Sequence, residues 1–82
     1  MTAKEMFDRL EFKKKTYLDT RGYKIMEFHS PMDSISVIFY LQEKKYKADF
    51  LGFGAVVDMR LHNAIHQQLK ELGWIEWLMK RD

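Results

Sequence analysis

The sequence predicts an α+β fold, with a short N-terminal helix, an antiparallel meander of three or four strands, and a C-terminal helix packed on the sheet. Apolar residues recur at helical spacing near both ends, whereas the middle alternates apolar and polar residues with the period of a strand. Residues 1–82 contain no repeat or linker-like stretch, and their 46% hydrophobic content is typical of a packed chain. We therefore expect a single domain with one small core.

The first helix is predicted from its cap and its apolar spacing. Thr2 and Glu5 are three residues apart, as in a capping box, where each side chain satisfies a free backbone amide of the other residue. The apolar residues from Ala3 to Leu10 then follow at positions that share one helix face. So short a helix is marginal alone, so packing must stabilise it.

The segment from Phe12 to Leu18 changes to strand-like spacing. Its three consecutive lysines, Lys13 to Lys15, predict an edge strand or a loop, because charged residues protect exposed sheet edges. A turn is expected next. The Asp19 side chain can bond to nearby backbone, and Gly22 can adopt a positive φ.

Three further strands are predicted, and the second is the clearest in the chain. Residues 23–29 read as a strand with blurred alternation, which ends before Pro31 because proline lacks a backbone donor. In residues 34–42, one face carries Ile35, Val37, Phe39 and Leu41, and the other carries Ser36, Ile38, Tyr40 and Gln42. Residues 45–50 alternate again after a turn. The glycine-broken stretch 51–57 is expected to be a connection, either a plain loop or a lid over the core.

The C-terminal helix has signals at both of its ends. Asp58 is the expected N-cap, and an apolar stripe runs from Leu61 to Leu72. Gly73 stands where a left-handed residue ends a helix, and Trp74 can fold back on the preceding turn. Residues 75–82 are too apolar for solvent, which indicates either an extra strand or helical turn that closes the core, or a partner contact.

His62 and His66 have the spacing of a zinc-binding pair on a helix. Asn63 replaces the glutamate that acts as general base in the HExxH motif, and the sequence offers no third ligand nearby. We therefore expect two structural side chains at the border of the buried stripe, and no metal. The serines lack a histidine at a recognisable spacing, and the chain has no cysteine or phosphate-binding glycine loop. These features predict a protein that is not an enzyme and has no cofactor.

A candidate interface follows from the predicted sheet. If both helices pack on the face of Phe39, the opposite face of the sheet has no cover, unless one helix or the tail folds over it. An uncovered face with apolar and basic residues favours self-association, as in a dimer, or binding to a host protein. Tail aromatics can anchor such contacts. The residues predicted to bind a partner are Ile38, Tyr40, Lys45, Lys47 and Trp77.

Nucleic acid binding is the alternative, because lysines neutralise phosphates and exposed rings stack on bases. The order of helix, three strands and helix resembles the double-stranded RNA-binding domain in outline. That family begins its last helix with lysines, whereas this helix begins at Asp58. A net charge of +2 does not by itself indicate nucleic acid. The candidate residues are Lys13, Lys14, Lys15, Lys44, Lys45 and Lys47.

The cellular setting is predicted from what the sequence lacks. The absence of cysteine fits a reducing compartment, and the longest apolar run, "VIFYL", is too short to cross a bilayer. The N-terminal residues lack the apolar stretch of a signal peptide. We expect a cytoplasmic protein with no membrane partner.

Both ends of the chain resemble a group of small uncharacterised proteins from phages and prophages of low-GC Gram-positive bacteria. The likeness rests on a "TAKEMF"-like start, Thr2 to Phe7, and on a final helix of the type "AI..Q..ELGW", Ala64 to Trp74. The tail "IEWLMKRD" departs from relatives that stop near the terminal "GW". The resemblance implies a bacterial or phage-infected cytoplasm, and it implies no activity.

Overall fold

The computed structural model describes residues 1–80 and confirms the α+β fold. The elements are α1 (Ala3–Arg9), β1 (Lys13–Leu18), β2 (Lys24–Ser30), β3 (Ile35–Tyr40), β4 (Lys45–Phe50), β5 (Phe53–Gly54), α2 (Met59–Glu71) and α3 (Trp74–Met79). Over these residues the strands form one antiparallel sheet in the order β1-β2-β3-β4-β5, so every strand pairs with its neighbour in sequence. The meander therefore has four long strands and a fifth of two residues.

The capping box at the start of α1 is present as predicted. The Glu5 N–H donates to Thr2 Oγ1 over 3.2 Å, and the Thr2 N–H donates to Glu5 Oε1 over 2.9 Å. The Ala3 N–H donates to Glu71 Oε2 over 2.7 Å, which ties the start of α1 to the end of α2. Because Ala3 and Phe7 are fully buried, α1 is held by packing as well as by its cap.

β1 is an edge strand, and none of its six side chains is buried. The turn after it has the predicted form. Asp19 Oδ1 accepts from the N–H groups of Arg21 (2.8 Å) and Tyr23 (2.9 Å), and Gly22 has a φ of 82°. The predicted connection over residues 51–57 contains β5, which pairs with the end of β4.

The core lies between the sheet and the three helices. Alternate residues of β2 and β3 face the helices, and their rings make a continuous aromatic series. The Phe28 ring stacks on Phe7 with 3.9 Å between centroids and meets Phe39 edge-on at 6.2 Å. Burying each such ring stabilises the fold by about 1.5–3 kcal/mol. The buried cluster is Ala3, Phe7, Phe12, Met26, Phe28, Val37, Phe39, Leu61, Ala64 and Ile65.

α2 begins and ends where the sequence predicts. Asp58 Oδ1 accepts from the Leu61 N–H over 2.9 Å, and Gly73 has a φ of 76° just beyond the helix. α3 follows directly, so the tail adds a short helix. Trp74 packs partly buried against the core, as expected, with its ring 6.2 Å from that of Phe39. Arg81 and Asp82 of the predicted tail segment lie outside the described residues.

Candidate interaction surface on the open face of the sheet

All three helices contribute to the same core, so they lie on one side of the sheet. Within residues 1–80, no helix covers the other side, which we call the open face. The strand register arranges its side chains in three rows that run across the strands. The rows are Tyr17–Ile25–Tyr40–Lys45, Lys15–Glu27–Ile38–Lys47 and Lys13–His29–Ser36–Asp49.

The centre of the open face is buried by its own neighbouring side chains. Ile25 is 2% exposed and stands between Tyr17 and Tyr40 in its row. Glu27 is 8% exposed, and its Oε1 accepts a hydrogen bond of 2.9 Å from the Tyr17 hydroxyl. Lys15 Nζ lies 3.8 Å from the other carboxylate oxygen. Glu27 therefore has partners on β1 for both of its oxygens.

This arrangement also changes the acidity of Tyr17. Tyr17 is 39% exposed as a whole, but partial removal of its phenol from solvent raises the pKa to about 12, and the hydrogen bond and negative charge of Glu27 add to the effect. The neutral hydroxyl is thus favoured over the phenolate. It remains a donor to Glu27 over the whole physiological pH range.

Lysines border the apolar centre on both sides. Lys13 and Lys15 stand on β1, and Lys45 and Lys47 stand on β4. The Lys15 ammonium lies 5.5 Å from the ring centroid of Tyr17, and the Lys45 ammonium lies 5.3 Å from that of Tyr40. Such contacts are favourable and keep the charges close to the rings. The open face therefore has two basic borders and a central strip that is apolar at Ile25, Ile38 and Tyr40 and also carries the paired Glu27.

The structure brings four of the five predicted partner-binding residues together. Tyr40 is the cross-strand neighbour of Lys45, and Ile38 is that of Lys47, so all four share the open face. Trp77 is separated from them. Its ring lies 5.5 Å from Lys44 Nζ and lines a groove on the helix side of the sheet.

The six lysines of the nucleic-acid alternative are also divided. Lys13, Lys15, Lys45 and Lys47 share the open face. Lys14 is opposite Phe28, which places it on the helix side, and Lys44 lies in the turn before β4.

The central hydrogen bond of the open face was not predicted. It joins Tyr17 to Glu27, which lie ten residues apart in the sequence. Odd-numbered positions of β1 and β2 share this face, so the alternation of "KKKTYL" would have placed Tyr17 there had the register with β2 been known.

A serine–histidine contact also lies on the open face, which the spacing in the sequence did not reveal. His29 Nδ1 is 2.9 Å from Ser36 Oγ, and the donor depends on the tautomer of the ring. In the part of the chain that the structure describes, no carboxylate bonds to the other nitrogen of His29. The pair therefore lacks the third group that orients the base in a catalytic triad.

The other two histidines lie exposed on α2. The ring centroids of His62 and His66 are 6.3 Å apart. Among residues 1–80, no group of three or more metal-binding side chains could hold an ion. The described helices include none with the length and apolar character needed to span a membrane.

Comparison of the chain with protein-family models, with curated proteins and with solved structures finds no match.

Proposed function

We propose that this chain is a noncatalytic interaction module that binds another protein through the open face. The observation that supports this function is an apolar strip, with Ile38 and Tyr40 only half-buried, bordered by lysines and covered by no helix of residues 1–80. Protein interfaces combine an apolar centre with a polar rim in the same way. The lysines would orient the partner and speed its approach, and the apolar strip would supply the affinity.

The charges favour a partner with an acidic rim over a second copy in face-to-face contact. A two-fold axis along the strands would place the β1 lysines over the β4 lysines of the second copy. An axis across the strands would place β1 over β1. In both arrangements, Lys15 and Lys47 each face a lysine of the second copy. This repulsion is unfavourable unless salt screens it. Self-association through this face is therefore less favoured than binding to a different protein.

The likeness to phage and prophage proteins gives a biological setting for the proposal. An accessory protein made in a bacterial or phage-infected cytoplasm would meet host proteins there. A small noncatalytic domain can act in such a cell by occupying the surface of a host protein. The proposed partner is thus a host protein with an acidic rim around an apolar patch.

Capture of proteins from bacterial lysate by the immobilised chain, after nuclease treatment, tests this function. We expect a protein retained by the unaltered chain to be lost with Lys47→Glu, which reverses one border charge. Lys70→Glu is the matched control. It makes the same charge reversal at an exposed residue of α2, outside the open face. Equal retention by the two variants would contradict the proposal.

Sedimentation of the chain alone distinguishes the second copy from an external partner. If the open face self-associates, the dimer should strengthen as salt rises, because salt screens the opposed lysines. Lys47→Glu should also strengthen the dimer if its axis runs along the strands, because position 47 then faces Lys15 of the second copy. A monomer at all concentrations and salt levels leaves only the external partner.

Nucleic acid is the second candidate, since four lysines and the rings of Tyr17 and Tyr40 share one face. The half-buried apolar side chain of Ile38 lies between the lysine borders and has nothing to pair with a phosphate, which favours the protein partner. Anisotropy of a labelled single-stranded oligonucleotide tests this candidate. Binding that falls steeply with salt and is lost in Lys13→Glu would support nucleic acid. Unchanged anisotropy would exclude it.

A further inference from the structure

A groove of about 350 Å³ lies on the helix side of the sheet, between the start of β4 and α3. Tyr46 lines one side, and Trp74, Trp77 and Leu78 line the other. Trp77 is 41% exposed and Tyr46 is 43% exposed, so aromatic surface is accessible within it. A concave apolar site of this size can hold one or two side chains.

The edge of β4 next to this groove is open. β5 pairs with only the last part of β4, where the Ala55 N–H donates to the Ala48 carbonyl. Backbone groups alternate in direction along an antiparallel strand. The N–H and C=O of Tyr46, two residues before Ala48, therefore also point away from β3. Among the described residues, no strand pairs with Lys45, Tyr46 or Lys47 on that side.

We propose that this edge and the groove together bind an extended peptide segment of a partner protein, added antiparallel to β4. The β4 edge would supply main-chain hydrogen bonds, and the groove would select a side chain. The register defines the pattern of the peptide. The residue opposite Tyr46 points to the helix side and is apolar, because Tyr46 shares the side of Phe39.

On each side of this apolar residue, the peptide is expected to carry an acidic residue. These two residues would lie opposite Lys45 and Lys47, whose side chains stand on the open face. Over the described residues, Lys47 and Lys44 have no carboxylate within ion-pair distance, and Lys45 pairs with Glu43 at 3.0 Å. A second copy of β4 is a poor occupant, because its own lysines would meet these lysines. An acidic–apolar–acidic segment complements the edge.

A short blocked peptide, Gly-Ser-Glu-Leu-Glu-Ser-Gly, provides the probe. The chain has two tryptophans, and both line the groove, so their fluorescence reports its occupancy. We expect a saturable change in fluorescence. A peptide with Lys in place of Glu should not bind. A peptide N-methylated at Leu should have an affinity at least about tenfold lower, because its Leu can no longer donate a hydrogen bond to the Tyr46 carbonyl.

Protein variants separate this site from the open face, with calorimetry as the readout and circular dichroism as the check of folding. Trp77→Ala should lower the affinity for the peptide by about tenfold or more, because buried aromatic anchors dominate binding. Lys13→Glu, on the far border of the open face, should leave peptide affinity unchanged. The proposal is overturned if no peptide binds, or if the N-methylated and unmodified peptides bind equally.

Discussion

The Tyr17 hydroxyl donates to the Glu27 carboxylate over 2.9 Å on the face of the sheet that no helix of residues 1–80 covers. The bond joins the edge strand β1 to β2, and it satisfies a carboxylate that is almost wholly buried. A buried charge without partners is costly, so this contact fixes the side chains at the centre of the open face.

Replacing Tyr17 by Phe should destabilise the domain. The change keeps the ring but removes the donor to Glu27, and an unsatisfied buried group costs about 1–3 kcal/mol. Lys15 remains 3.8 Å from the carboxylate, so the loss should fall near the lower end. Urea unfolding measures it. An unchanged midpoint would show that water replaces the hydroxyl without cost.

The pKa of Tyr17 predicts a loss of stability at high pH. Its value of about 12 in the folded chain lies above the ordinary value of 10, so the folded state holds the phenolic proton more tightly. This contribution to stability is complete below pH 10 and is lost as the pH rises from 10 to 12. Absorbance of the phenolate should show a late step, near pH 12, that belongs to Tyr17.

Two variants test whether the late phenolate step belongs to Tyr17. Tyr17→Phe should remove it, and Glu27→Gln should shift it towards the ordinary value because the carboxylate charge is gone. If Tyr17→Phe leaves the late step in place, another tyrosine is responsible.

Gly73→Ala should destabilise the junction between α2 and α3. Gly73 has a φ of 76°, and an added Cβ would meet nothing within 4 Å, so the cost comes from the backbone alone. An L-residue in this conformation costs about 1–2 kcal/mol. Gly54→Ala is the control, because Gly54 has open space and no positive φ. Thermal unfolding should separate the two variants; equal melting temperatures would contradict the argument.

Phe28→Leu should weaken the core. Phe28 is 1% exposed and stacks on Phe7, so the smaller side chain leaves a void and loses the ring contact, which costs about 1–3 kcal/mol. Phe53→Leu makes the same change at a residue that is 75% exposed, and it should alter stability by less than about 0.5 kcal/mol. Denaturant titration of both variants measures the difference. Similar losses would mean that Phe53 is covered in solution.

The sequence predicted those parts of the fold that depend on local chemistry. The capping box at Thr2, the turn at Asp19 and the left-handed residue at Gly73 each require particular residues within a few positions. The alternation in residues 34–42 likewise gave the two faces of β3. As a result, the prediction that Ile38 and Tyr40 lie on the face opposite the helices agrees with the strand register.

Other features depend on contacts between distant residues and were not predictable. The two residues of β5 are too few to alternate. The alternation of β2 is weak in the sequence because residues on both of its faces are buried. Ile25 is buried among side chains of the open face, and Phe28 is buried in the core. The separation of Trp77 from Ile38 follows from the position of α3, which the apolar tail alone did not define.

The aromatic series of the core has a consequence for spectroscopy. Its rings connect without a gap from Phe12 through Phe7, Phe28 and Phe39 to Trp74, which forms a wall of the groove beside β4. Ring-current shifts fall off steeply with distance, so a guest that moves the Trp74 ring should displace the proton resonances of its neighbour Phe39 most. Phe39 is fully buried, and its resonances would therefore report binding in a groove that it does not line.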